Sequence, residues 1–149
     1  MKYLSILMVG VALLAGGCVE KEVSDGTKIV YREDGSRAEI PYVNGKMHGT
    51  QIDYRKDGSK ERETPYVNGQ KHGTEIGYNK DGSKSYETPY VDGQKHGTWI
   101  GYFKDGSKWF EITYVDGNRH GTQIWYNEDG SKLRESVWEN GNMISRKRY

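Results

Sequence analysis

Along Thr98-Trp99-Ile100-Gly101-Tyr102, large strand-forming side chains alternate with small or polar ones. Lys104-Asp105-Gly106 interrupts the pattern, and Lys108 to Tyr114 alternates again. Short runs of this kind, rich in aromatic and β-branched residues and split by Asp-Gly, read as two strands joined by a tight turn. A longer loop, Val115 to Gly121, leads onward. The same layout returns every 24 residues. His-Gly occurs at His48, His72, His96 and His120, and Asp-Gly-Ser begins at Asp34, Asp57, Asp81, Asp105 and Asp129. Tyr-Val-(Asn/Asp)-Gly begins at Tyr42, Tyr66, Tyr90 and Tyr114, with Trp138-Glu139-Asn140-Gly141 as a fifth version. A fixed period of this size marks a repeat architecture. The first unit is one residue short between Asp34 and Asn44, which places a deletion in its second strand.

The pattern predicts an all-β chain: an extended antiparallel meander of five tandem 24-residue β-hairpin repeats over residues 26–142, forming a single twisted sheet of ten strands. Turn chemistry sets the expected register. A three-residue loop, Lys104 to Gly106 with the glycine left-handed, places Ile100 opposite Phe110 and Thr98 opposite Ile112. Ile100, Tyr102, Phe110, Ile112, Tyr114, Ile124 and Tyr126 then share one apolar, tyrosine-rich face, and Glu63, Glu87 and Glu111 share a polar one. A slip of one residue would scatter the apolar set over both faces. Pro41, Pro65 and Pro89 fall inside second strands, and a residue without an N–H there predicts a bulge or a broken ladder. One unit cannot fold alone. Ordering its backbone costs roughly 1–2 kcal/mol per residue, and its few apolar side chains return about 1.5–3 kcal/mol each, so neighbours must stack.

Residues 1–17 break the pattern. Lys2 is followed by an apolar run from Leu4 to Leu14, then by Ala15-Gly16-Gly17 and the lone cysteine, Cys18. The run is too short to span a bilayer and has the layout of a secretory signal peptide. Leu14-Ala15-Gly16-Gly17-Cys18 resembles the lipobox of bacterial lipoproteins. That resemblance implies diacylglycerol on the Cys18 thiol, cleavage before Cys18, and anchorage at a bacterial cell-envelope membrane, the outer membrane facing the periplasm in a diderm. Acyl chains contribute about 0.8 kcal/mol per buried CH2, so two or more hold a protein firmly. Residues 18–25 form a short lipidated tether, and residues 143–149 a basic tail carrying Arg146-Lys147-Arg148.

Charge narrows the function classes. Outside residues 1–17, which hold Lys2 and no acid, bases balance the 21 acids, whereas nucleic-acid binders carry a basic excess. No nucleic-acid partner is expected. The four histidines recur in units two strands apart, about 10 Å, too far to share one zinc ion, so no metal or other cofactor is expected. Glu39, Glu63, Glu87, Glu111 and Glu135 repeat in equivalent settings, whereas carboxylate catalysis needs two unlike environments. No Ser-His-Asp, HExxH, P-loop or CxxC pattern occurs, and the chain reads as a non-enzyme. The candidate binding residues are Trp99, Trp109, Trp125 and Phe103 around Glu111, where aromatic side chains enter the polar face; exposed tryptophans there could meet sugar rings or a protein partner.

The run Asn68-Gly69-Gln70-Lys71-His72-Gly73, then Tyr78, Asp81-Gly82-Ser83 and Tyr86-Glu87, resembles a MORN repeat, whose pattern is NGxxHGxG, Tyr, DG and YEG at a period close to this one. The resemblance spans residues 26–142. The glycine after Tyr-Glu is Thr88 here, and Tyr90 stands where tryptophan is usual, features closer to the bacterial variant labelled antitoxin-type. The resemblance implies a ribbon of hairpins that acts as a binding or scaffolding surface for a protein or envelope component, and no catalytic residues. The antitoxin label implies an alternative role, neutralising a toxin at the envelope.

Overall fold

The computed structural model describes residues 25–149. The signal peptide, Cys18 and most of the expected tether lie outside the described residues. Fourteen strands form one open antiparallel sheet: β1 (Gly26–Tyr31), β2 (Arg37–Val43), β3 (Lys46–Met47), β4 (Gly49–Tyr54), β5 (Lys60–Val67), β6 (Gln70–Lys71), β7 (Gly73–Tyr78), β8 (Lys84–Val91), β9 (Gln94–Lys95), β10 (Gly97–Tyr102), β11 (Lys108–Val115), β12 (Asn118–Tyr126), β13 (Lys132–Glu139) and β14 (Asn142–Arg148). The long strands follow one another across the sheet in chain order, as a meander requires.

Of the four strands beyond ten, one is β14, formed by the expected tail, and the other three have a local cause. Between units the ladder runs Arg62↔Gly77 and Glu63↔Ile76, stops at Thr64-Pro65, and resumes as Tyr66↔Lys71. Each proline thus splits the next strand, and β3, β6 and β9 are the detached starts. The freed Pro41, Pro65 and Pro89 carbonyls accept the backbone N–H of His48, His72 and His96. The glycine after each histidine has a positive φ, and the proline ring lies over it: a Cβ on Gly73 would meet Pro65 Cγ at 3.0 Å. This explains the His-Gly pair as backbone geometry. Where Thr113 replaces proline, β12 runs unbroken with only a shift of register.

The expected longer loop is tighter than Val115 to Gly121. Asn68 and Gly69 both have positive φ, as do their counterparts in every unit, and Val67 pairs with Gln70. This is the two-residue turn that Asn-Gly and Asp-Gly favour. The Gly69, Gly93, Gly117 and Gly141 N–H groups each donate to a carbonyl 22 residues earlier, from Met47 to Arg119, and so tie these four turns to the unit before them. At the other edge, the Asp of Asp-Gly-Ser accepts from the serine N–H; the Ser59, Ser83, Ser107 and Ser131 hydroxyls also donate to it.

The expected register is overturned. The Lys104–Gly106 loop forms as expected: Gly106 is left-handed, Phe103 and Ser107 are hydrogen-bonded, and Tyr102 pairs with Lys108. A second bulge follows at once. Trp109 is left outside the ladder, and Gly101 pairs with Phe110, Ile100 with Glu111 and Trp99 with Ile112. Ile100 and Ile112 therefore lie on opposite faces, and there is no single tyrosine-rich apolar face. Glu61, Ser85 and Leu133 are bulged in the same way. The short first unit lacks this residue and pairs without a shift. Its deletion is the bulge itself, and so its faces still match those of the other units.

Every buried strand residue lies on one face, here the core face: Ala38, Asp53, Thr64, Glu75, Gly77, Thr88, Gly101, Phe110, Ile112, Tyr114, Gln123 and Ser136. The other face, here the glutamate face, carries a row crossing the sheet as Ile29, Glu39, Ile52, Glu63, Ile76, Glu87, Ile100, Glu111, Ile124 and Glu135.

Candidate binding surface

The glutamate face repeats one constellation. Each glutamate accepts a hydrogen bond from a tyrosine hydroxyl further along the chain: Tyr78 to Glu63 at 2.9 Å, Tyr102 to Glu87 at 3.1 Å, Tyr126 to Glu111 at 2.7 Å and Tyr149 to Glu135 at 3.3 Å. A lysine three residues before each of these four, Lys60, Lys84, Lys108 or Lys132, closes an ion pair, and in the short first unit Arg37 pairs with Glu39 instead. The lysine beside Glu63 and Glu87 holds their carboxyls below the usual range. At Glu111 burial pushes the other way, and Lys108 and Tyr126 outweigh it. Burial and the Glu111 charge push the Tyr126 hydroxyl up to about 12. The row is a repeated bracing element whose members have equivalent partners.

The core face changes character along the chain. In its first half it is polar and internally paired. Asp53, its side chain only 2% exposed, accepts from Arg32 at 2.6 Å and Arg62 at 3.1 Å, and Gln51 donates to it as well. Burial pushes its carboxyl up, but the two guanidiniums hold it below the usual range. Glu75 accepts from Lys71, Thr64 and Tyr86, and burial together with Glu75 pushes the Tyr86 hydroxyl to about 12. In the next unit the same positions become apolar. Phe110, Ile112 and Tyr114 form a cluster against which Trp99 and Trp125 pack. Trp99 meets the Phe110 ring edge-on at 4.7 Å, and Lys95 lies over Trp99. Tyr86 and Phe110 cover the opposite glycines: a Cβ on Gly101 would sit 2.3 Å from the Phe110 ring.

The candidate residues are therefore not one patch. Trp99 and Trp125 are half-buried structural members of the core face. Glu111 lies on the other face between Ile100 and Ile124, not between two tryptophans. Trp109 and Phe103 do come together, with ring centroids 6.3 Å apart, and Trp109 is 50% exposed. Leu133, one unit on, occupies the same bulge and is 49% exposed. Sequence reasoning missed Leu133 because the bulge was not recognised. Among the described residues, no group of three or more His, Cys, Asp or Glu is arranged to hold a metal. His72 and His96 instead face Asp92 and Asp116 at 3.3 and 3.2 Å. The basic tail is also not free: Arg146 to Arg148 lie in β14, paired with β13.

Two stretches, residues 95–116 and 119–140, match the family model described as MORN repeat variant. Both fall within the hairpin pattern that the rest of the described sheet repeats. No curated protein matches. Among solved structures, a crystal structure of a mutant S. aureus TarM is similar to this chain at 12% identity, covering 79% of this chain and 21% of that one, with a TM-score of 0.38. The chain thus spans about a fifth of that protein's length, and a likeness this loose carries no argument.

Proposed function

We propose that the chain is a non-catalytic binding or scaffold module of the MORN type along its whole ribbon, held at a bacterial envelope membrane by a lipid on Cys18. The anchor follows from the leader-like residues 1–17 and the lipobox-like stretch before Cys18. The partner is a protein or another envelope component that meets the bulge column. The observation that carries this reading is the position of Trp109 and Leu133: on neighbouring units, outside the ladder and about half exposed. Exposed apolar side chains grouped on a polar ribbon mark a contact surface, and aromatic anchors carry most of the binding energy of such contacts.

The test joins anchor and surface. Labelling with a palmitate analogue should mark the wild-type chain and leave Cys18→Ala unlabelled and released from membranes. Crosslinking in solubilised membranes should capture a discrete partner that is lost in Trp109→Ala/Leu133→Ala and retained in Lys104→Gln. A captured toxin would select the antitoxin role. Capture unchanged by the double substitution would remove the bulge column from the reading.

A further inference from the structure

The carboxy-terminal end of the core face breaks a charge rule that the rest of that face obeys. Arg62 and Arg134 occupy equivalent positions three units apart. Arg62 pairs across the hairpin with Asp53, which neutralises it. At the corresponding place Arg134 meets Trp125, its guanidinium stacked 3.7 Å from the ring centroid. The acid at the Glu75 position is likewise replaced, here by Gln123. That side chain is fully buried, and neither its amide nitrogen nor its oxygen has a hydrogen-bond partner. β14 adds Arg146 opposite Ser136 and Arg148 opposite Arg134, and Arg119 lies over Trp138. Among the described residues none of these four arginines has a carboxylate partner. Burial and the charges of Arg146 and Arg148 pull the Arg134 guanidinium below its ordinary value, as expected for positive charge left uncompensated.

These groups enclose an open recess of about 350 Å³, lined by Arg119, Arg134 and Arg146 together with Trp125, Trp138 and Ser136 and no acid. Stacking on an indole holds a guanidinium plane while leaving its N–H edges free, the arrangement suited to forked bonding of an oxyanion. The indole walls and Met143, which also lines the recess, give room for an uncharged body. We propose that this recess binds a phosphomonoester, with Arg119, Arg134 and Arg146 as its ligands and the body of the molecule against Trp125 and Trp138. The proposal deepens the reading of the ribbon as a binding module but uses a different surface from the bulge column. Either can fail alone.

The test uses the full chain purified in detergent, titrated by calorimetry with glucose 6-phosphate, with glucose as the uncharged control, and by flotation with phosphatidylcholine vesicles with and without phosphatidic acid. Saturable binding of glucose 6-phosphate but not of glucose is expected, weakened at least tenfold in Arg146→Gln and in Arg134→Gln and unchanged in the charge-matched Lys104→Gln. Arg146 is exposed on an edge strand, so its loss leaves the fold intact, which circular dichroism verifies. Trp125→Asp, which recreates the pairing of Asp53 with Arg62, should also abolish binding. Binding confined to phosphatidic acid vesicles and sensitive to Arg146→Gln supports the same phosphate chemistry and places the phosphate on a lipid. No saturable binding in either arm, or equal losses in Arg146→Gln and Lys104→Gln, overturns the proposal. Loss of phosphate binding with partner capture intact leaves the bulge-column reading standing.

Discussion

Gly101→Ala tests the packing of the core face most directly. An ideal Cβ at Gly101 would lie 2.3, 2.6 and 2.9 Å from three ring atoms of Phe110, against ordinary contacts of about 3.5–4.0 Å. The ring must therefore shift by more than about 1 Å. It cannot do so freely, because it is 7% exposed and held edge-on by Trp99 at 4.7 Å and Trp109 at 5.1 Å. Overpacking costs roughly 1–3 kcal/mol, and loosening two aromatic pairs adds about 0.5–1.5 kcal/mol each, so a loss of about 2–6 kcal/mol is expected. Urea unfolding followed by tryptophan fluorescence measures it. The double-mutant cycle with Phe110→Ala isolates the cause. With the ring gone, Gly101→Ala should be neutral or stabilising, since alanine is favoured over glycine in a strand by about 0.5–1 kcal/mol. The coupling should reach about 2 kcal/mol or more. A single mutant within about 0.5 kcal/mol of wild type, or an additive cycle, would refute the packing argument.

Deleting Ser85 should be tolerated, because it converts the third hairpin to the unbulged pairing of the first; deleting Thr88 should unfold the chain, and thermal melts of the two deletions compare them. Asp53→Asn should destabilise by about 1–3 kcal/mol, read from urea midpoints, because it removes the charge-assisted acceptor of Arg32 and Arg62, whose 41% exposed guanidiniums water then solvates in part. Stability should fall on both sides of neutral pH: the glutamates with lowered folded values contribute above their ordinary 4.5 and lose that contribution as pH falls below it, while Tyr126, raised from 10.0 to about 12, contributes below 10 and loses it as pH rises through 12. Tyr126→Phe should lower the urea midpoint at neutral pH and flatten the alkaline fall; an unchanged alkaline slope would count against the tyrosine–glutamate brace.

The fold class, the period and the proline breaks were legible because each rests on local chemistry that recurs. The register was not, because two bulges act in series: the Asp-Gly-Ser turn announces its own left-handed glycine, whereas the bulge at Glu61, Ser85, Trp109 or Leu133 has no common residue type. Its trace was the short first unit. A one-residue deletion inside a strand reverses every later side chain unless it removes a residue that was not in the ladder, so that gap marked the bulge. The mistaken register in turn put Glu111 among the tryptophans and hid Leu133. Asn-Gly and Asp-Gly before each His-Gly pair also named a tight turn that a longer loop obscured.

The bond from each Asn-Gly or Asp-Gly turn after the first to the carbonyl 22 residues before it makes the ribbon a stack of interchangeable courses. A whole 24-residue block can be duplicated or excised in mid-array with its backbone joint preserved, because the turns from Gly69 on make the same bond, while the core-face side chains at the joint change with the block removed. Cooperativity in such a stack is short-ranged, so unzipping should begin at its outermost courses and the midpoint should climb as blocks are added.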